Sequence, residues 1–229
     1  MNRTDLVAES LTKVYPPSVT AIEDVSLEVA QGEIVVILGP SGSGKTTLLN
    51  LLALLDRPTS GIVRWSGKDV SGLDERETSR MRNETFGFIF QFFHLIPELS
   101  VAENVYLPLW VREKKNDRNA YRRAALDLLR EFALEGKAEE YPNHLSGGEK
   151  QRVGICRSLI CDPAVIFADE PTGNLDRKAS ADVLSLIEGL NRQKGRTFVV
   201  ATHNENFLKI ATKVIYLSNG RLDRMEKRK

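Results

Sequence analysis

The run Gly39-Pro40-Ser41-Gly42-Ser43-Gly44-Lys45-Thr46 constrains this chain more than any other stretch. It fits the pattern G-x-x-x-x-G-K-[ST] and follows the unbroken apolar segment Ile34-Val35-Val36-Ile37-Leu38. Such a segment, with no polar alternation, reads as a strand covered on both faces, as in a parallel sheet flanked by helices. The glycines let successive backbone N–H groups turn inward to form an anion nest. A helix starting near Lys45 adds the positive end of its dipole. The chemistry this suits is a nucleoside triphosphate: Lys45 reaches the β- and γ-phosphates, and the Thr46 hydroxyl ligates Mg²⁺. Thr47, next in the first turn, completes the contact set.

A second apolar strand, Val165-Ile166-Phe167-Ala168, ends in the adjacent acids Asp169-Glu170. In open α/β sheets ligands sit beyond the carboxyl ends of strands, so these acids are expected beside the phosphates. Asp169 would hold the Mg²⁺ shell, and Glu170 would orient and polarise an attacking water.

The remaining chain alternates strand and helix signals. Apolar residues at Ile22, Val25, Leu27 and Val29 predict a one-faced antiparallel strand near the start. Short strands are expected at 62–65, 86–90, 198–202 and 214–217. Helices are expected at 74–82, 119–132, from Arg177 and near Phe207. Ser100 and Glu103 form a capping box, and Asn219-Gly220 is a hairpin-type turn. The stretch from Phe92 to Leu159 reads as mostly helical. The architecture expected is one α/β unit: core and β subdomain over 1–91 and 162–229, with a helical insertion over about 92–161.

Leu145-Ser146-Gly147-Gly148-Glu149 opens a further helix. Ser146 and Glu149 fit a capping box, but two glycines in a first turn cost about 1 kcal/mol each against alanine. Glycine there permits close approach of backbone to a ligand, and a bare helix N-terminus binds anions. With one phosphate loop per chain, this second element implies service to a nucleotide held by another copy.

The net charge of +1 provides no field to draw in nucleic acid or an anionic membrane. The basic segment Arg221–Lys229 reads as a solvated, frayed tail. Cys156 and Cys161 are too few for a disulfide scaffold and are expected buried and reduced. No stretch is long and apolar enough to span a bilayer, and the start, Met1 to Asp5, shows no signal-peptide pattern. A membrane role would need a separate membrane chain.

Taken together, these motifs resemble the ATP-binding cassette (ABC) ATPases, over essentially the whole chain. Leu145-Ser146-Gly147-Gly148-Glu149 resembles their signature. The resemblance implies a P-loop, RecA-like core with an N-terminal antiparallel β subdomain and an inserted helical subdomain. It implies that Tyr15 stacks on adenine and that Gln91 links Mg²⁺ and water to the helical lobe. It implies that Asn174-Leu175-Asp176 crosses a dimer interface, and that His203 contacts the γ-phosphate. Two ATP molecules would lie between the P-loop of one copy and Ser146, Gly147, Gly148 and Glu149 of the other. Hydrolysis would drive a membrane permease, placing the chain in the cytoplasm on the inner face of the membrane. His94 and His144 are left as structural or surface residues.

Two runs narrow the resemblance. Gln91-Phe92-Phe93-His94-Leu95-Ile96-Pro97, with Glu103-Asn104-Val105 and Leu107-Pro108-Leu109, is one; Ala168 to Asp176 is the other. They look like the bacterial ATPases of lipoprotein release and macrolide export. His94, Asn204 and Cys156 depart from common family residues without touching the phosphate chemistry. The apolar residues Phe92, Phe93, Leu95 and Ile96 are candidates both for core and for permease docking. The alternative, a soluble ABC-type ATPase acting on DNA or ribosomes, would carry a long coiled coil or a second such domain. Neither pattern is present. A degenerate, non-hydrolysing regulator would not keep Glu170 and His203.

Overall fold

A computed structural model describes residues 4–113 and 117–228; Met1–Arg3 and Lys229 lie outside the described residues. A six-stranded sheet runs in the order β10 (Arg221–Lys227), β9 (Lys213–Ser218), β3 (Ile34–Leu38), β8 (Thr197–Thr202), β7 (Val165–Asp169), β6 (Phe86–Phe90). All its pairings are parallel except that of β10, which is antiparallel to β9. A four-stranded antiparallel sheet has the order β2 (Val19–Ala30), β1 (Thr4–Tyr15), β4 (Ser60–Trp65), β5 (Lys68–Asp69).

Side chains of the central strands alternate between two cores, as the two-residue strand period requires. Val35 and Ile37 of β3, Phe167 of β7 and Val199 of β8 face helix α1 (Lys45–Leu52) and the four-stranded sheet. Ile34, Val36, Ile166, Phe198 and Val200 face the other way. Since Leu48, Leu49, Leu51 and Leu52 are all buried, α1 is enclosed between the two sheets, and the phosphate loop at its start is held from both sides. Phe86 meets Phe167 edge to face at 5.1 Å, an arrangement the ring quadrupoles favour.

The second core lies under α3 (Val101–Arg112), α4 (Arg118–Glu131), α5 (Gly147–Leu159) and α6 (Arg177–Lys194). Helix α2 (Glu75–Thr85) starts from an Asp74–Glu77 capping box, and α3 from the expected Ser100–Glu103 box. Asn104, fully buried, secures the approach to α3. Its amide donates to the carbonyls of Ile96, Leu99 and Ser100 at 3.0 Å each, and its oxygen accepts from Ile96 N–H at 2.7 Å.

The expected frayed tail is corrected: Arg221–Lys227 forms β10. The Asn219-Gly220 turn, with φ of 47° and 75°, folds it back, and Arg224 lies 3.9 Å from the Tyr216 ring centroid. Both cysteines are free and buried, and burial pushes the thiols above their ordinary range. Among the described residues no helix is long and apolar enough to cross a membrane.

Candidate functional site

Four neighbouring parallel strands, β3, β8, β7 and β6, deliver the motif residues to one edge of the sheet. The phosphate loop follows β3, His203 follows β8, Asp169 closes β7 with Glu170 after it, and Gln91 follows β6. Register brings Phe90 opposite Asp169 and Asp169 opposite Ala201. Residues remote in sequence thus meet because parallel strands present their carboxyl ends together.

Gly44 has φ 98°, and a Cβ there would stand 2.5 Å from the Ala21 carbonyl oxygen. Only glycine satisfies both the left-handed backbone and the close approach. The loop is braced from outside, since Gly220 N–H donates to the Ser43 carbonyl at 3.0 Å. Lys45 curls back and donates from Nζ to the carbonyls of Gly39 at 2.9 Å and Pro40 at 3.0 Å. The Ser43 hydroxyl is buried with no partner in the chain. An orphaned buried hydroxyl in a glycine-rich loop at a helix start fits a cradle for an anionic ligand.

Thr46 Oγ1 donates to Asp169 Oδ1 at 3.0 Å. Burial, above all, raises the Asp169 carboxyl beyond its ordinary range, with Glu170 adding to this and Thr46 and Lys45 opposing it. Two hard oxygen donors side by side suit Mg²⁺.

Glu170 sits at φ 42°, a left-handed backbone uncommon outside glycine and often found at functional sites. Its carboxylate accepts from Thr202 Oγ1 at 2.8 Å and from His203 N–H at 3.1 Å, and lies 2.8 Å from His203 Nδ1. The Glu170 side chain is 14% exposed and that of His203 64%, so the pair joins a sheltered acid to an open imidazole. Thr202 was not a candidate from sequence; its place immediately before His203 is the one signal that could have found it.

Gln91 leans on the loop after β7. A Cβ on Gly173 would meet its Nε2 at 2.8 Å, and Asn174 Nδ2 donates to its carbonyl at 3.0 Å. Tyr15 ends β1, and its hydroxyl donates to Asp56 Oδ2 at 2.7 Å. The hydrogen bonds of Ser146 and Glu149 stay within the first turn of α5, as a capping box. The structure therefore does not join Ser146–Glu149 to the phosphate loop of the same chain by any hydrogen bond. A Cβ on Gly148 would stand 3.1 Å from Ala179 Cβ, so packing on α6 also favours glycine there.

The family model for ABC transporters matches residues 22–173. The chain belongs to the ABC transporter family. The lipoprotein-releasing system ATP-binding protein LolD of Bordetella pertussis is 46% identical over 220 residues, covering 95% of this chain and 94% of its own. The macrolide export ATP-binding/permease protein MacB of Chlorobaculum tepidum is 44% identical over 92% of this chain and 32% of its own length. Among solved structures, the ATP-binding cassette MJ0796 in a dimeric post-hydrolysis state bound to ADP and Pi superposes with a TM-score of 0.89. It is 40% identical and covers 97% of this chain and 98% of its own. The chain is thus similar to ABC cassettes of the lipoprotein-release and macrolide-export type, as the two sequence runs implied.

Proposed function

We propose that this ABC family member binds and hydrolyses ATP and passes the resulting motion to a separate membrane permease of the lipoprotein-release or macrolide-export type. The observation that carries the reading is the meeting of Lys45, Thr46, Asp169, Glu170 and His203 on one sheet edge, with Thr46 to Asp169 at 3.0 Å and Glu170 to His203 at 2.8 Å.

The reaction is ATP + H₂O → ADP + phosphate. Catalysis here is positioning plus charge neutralisation. Lys45 exchanges the Gly39 and Pro40 carbonyls for phosphate oxygens, and the backbone N–H groups from Gly42 to Thr47, with that of Ser43 released from the Pro40 carbonyl, hold the remainder. Thr46 and Asp169, with Gln91, would hold Mg²⁺, which supplies neutralisation of phosphate charge. Glu170 accepts a hydrogen bond from the attacking water, and His203, already fixed by Glu170, stands beside the γ-phosphate. Tyr15 carries the base. Ser146, Gly147, Gly148 and Glu149 of a second copy close the site, and Asn174-Leu175-Asp176 lies between copies. The relative MJ0796, dimeric with ADP and Pi bound, supports this assembly.

The permease would dock at a groove of about 370 Å³ between core and helical lobe, lined by Phe88, Phe90, Leu107, Pro108, Val111 and Arg157. Phe92 is 67% exposed and Ile96 also lies at the surface, so neither is core. Such a chain works in the cytoplasm against the inner face of the membrane.

The test is Mg²⁺-dependent phosphate release by the purified chain, with and without membranes carrying its permease. Lys45→Ala is expected to abolish release, and Val111→Asp to leave the chain unrecovered with membranes. Release stimulated by DNA but not by permease-bearing membranes would overturn the reading in favour of a soluble ATPase.

A further inference from the structure

A polar cluster near the phosphate loop joins Tyr15 to two residues outside the motifs, Lys13 and Asp56. Lys13 and Tyr15 sit two residues apart on β1 and so share a face. Asp56 lies beyond the end of α1 in the turn leading to β4. Its carboxylate receives three donors: Lys13 Nζ at 2.6 Å, the Tyr15 hydroxyl at 2.7 Å and the Arg57 amide at 2.7 Å. Lys13 Nζ also donates to the Arg57 carbonyl at 2.7 Å and stands 4.8 Å from the centroid of the Tyr15 ring.

These contacts do more than hold a turn. The hydroxyl ties the ring to Asp56, just past the far end of α1. The ring is therefore fixed relative to the helix that begins in the phosphate loop. Lys13 sets its ammonium against one face of the ring. Lys13 also neutralises Asp56, so the acid places no unpaired negative charge near a polyphosphate. Fixing a platform in its bound position lowers the entropic cost of binding.

We propose that Asp56 is a positioning residue for nucleotide binding: with Lys13 it clamps the Tyr15 ring at a set distance from the phosphate cradle, so that a base stacks on a preorganised surface. This deepens the reading that ATP binds with its base on Tyr15, and rests on it.

The experiment compares two probes, ATP and inorganic tripolyphosphate, each with Mg²⁺, on the purified chain. The first has a base to stack and the second has none. Asp56→Ala and Tyr15→Phe are each expected to raise Kd and KM for ATP about tenfold, the scale of one hydrogen bond to a charged group. Tripolyphosphate affinity holds in both, and kcat of Asp56→Ala changes less than about twofold, as expected when only ground-state binding is lost. The double variant binds ATP no more weakly than either single one, because both remove the same contact. Asp56→Asn, whose amide oxygen still accepts from the hydroxyl, restores most of the ATP affinity. Unchanged ATP affinity in Tyr15→Phe, which keeps the ring, would overturn the clamp. Equal loss of ATP and tripolyphosphate in Asp56→Ala would also overturn it, showing that Asp56 merely supports the phosphate loop. Lys45→Ala separates this from the broader reading. It is expected to lose both probes, and if it keeps both, the nucleotide site itself lies elsewhere and the clamp falls with it.

Discussion

Replacing Arg157 with methionine removes a guanidinium that joins the helix of the Ser146–Glu149 turn to the segment after Gln91. Arg157 lies on α5 and donates to the carbonyl of Phe93 at 2.6 Å and to that of His94. Phe93 and His94 have φ of 61° and 48°, two consecutive left-handed residues with side chains. Each such residue costs roughly 1–2 kcal/mol, so the turn holds about 2–4 kcal/mol of local strain. Two hydrogen bonds from a charged donor offset roughly 3–6 kcal/mol. Against this stands the cost of partly burying the guanidinium, the same desolvation that pulls its pKa down. Methionine fills similar volume without that cost, so the net loss of stability is expected at about 1–3 kcal/mol. The larger effect falls on function. With the two carbonyls released, the turn relaxes and Gln91 no longer moves with α5, so ATP turnover is expected to drop about tenfold or more. Urea denaturation measures the first effect, and steady-state phosphate release the second. An Arg157→Met protein with wild-type midpoint and turnover would refute the claim that this half-buried cation links the two segments.

Two further outcomes follow from the site geometry. The Asp169 carboxyl is raised chiefly by burial, so its ionised form costs stability above the raised pKa, and that cost disappears below the unfolded carboxylate range near pH 4. Asp169→Asn is therefore expected to raise the ligand-free Tm at pH 7.5, to converge with wild type near pH 4, and to lose Mg²⁺-dependent turnover; a lower Tm at pH 7.5 would contradict this. Gly44→Ala combines a left-handed backbone with a Cβ 2.5 Å from the Ala21 oxygen, and is expected to cost roughly 2–5 kcal/mol in urea denaturation; an unshifted midpoint would show that the loop yields freely.

Much of the fold is legible in the sequence, for identifiable reasons. The strand Ile34–Leu38 announces itself because both faces are covered, and the acids after Val165–Ala168 because a polar pair ends an apolar run. β1 was less visible. Its apolar positions, Leu6, Ala8 and Leu11, slip out of the two-residue period where Ser10 adopts φ 47° and a bulge shifts the register. β10 was misread because Arg221–Lys227 has no apolar period. Its partners are the β9 backbone, the Tyr216 ring and Glu23, all set by the turn at Asn219-Gly220. Residues matching the signature, phosphate-loop and switch patterns were found by type and order. The bonds that organise them were not, because Glu170 and His203 are 33 residues apart and Lys13 and Asp56 are 43 apart. Such pairings belong to the fold, and no local pattern encodes them. At Gly148 the sequence points to close approach of a ligand, and the 3.1 Å from its Cβ position to Ala179 Cβ adds packing within the chain, which no local pattern shows.

Turnover is expected to require that each ATP be enclosed by the phosphate loop of one copy and the Ser146–Glu149 turn of another. Sedimentation of Glu170→Gln with ATP and Mg²⁺ measures this directly, because that variant is expected to bind nucleotide without turning it over. The expected result is a dimer that needs ATP and is lost when Ser146→Arg is added. A species that stays monomeric at saturating ATP would contradict the account.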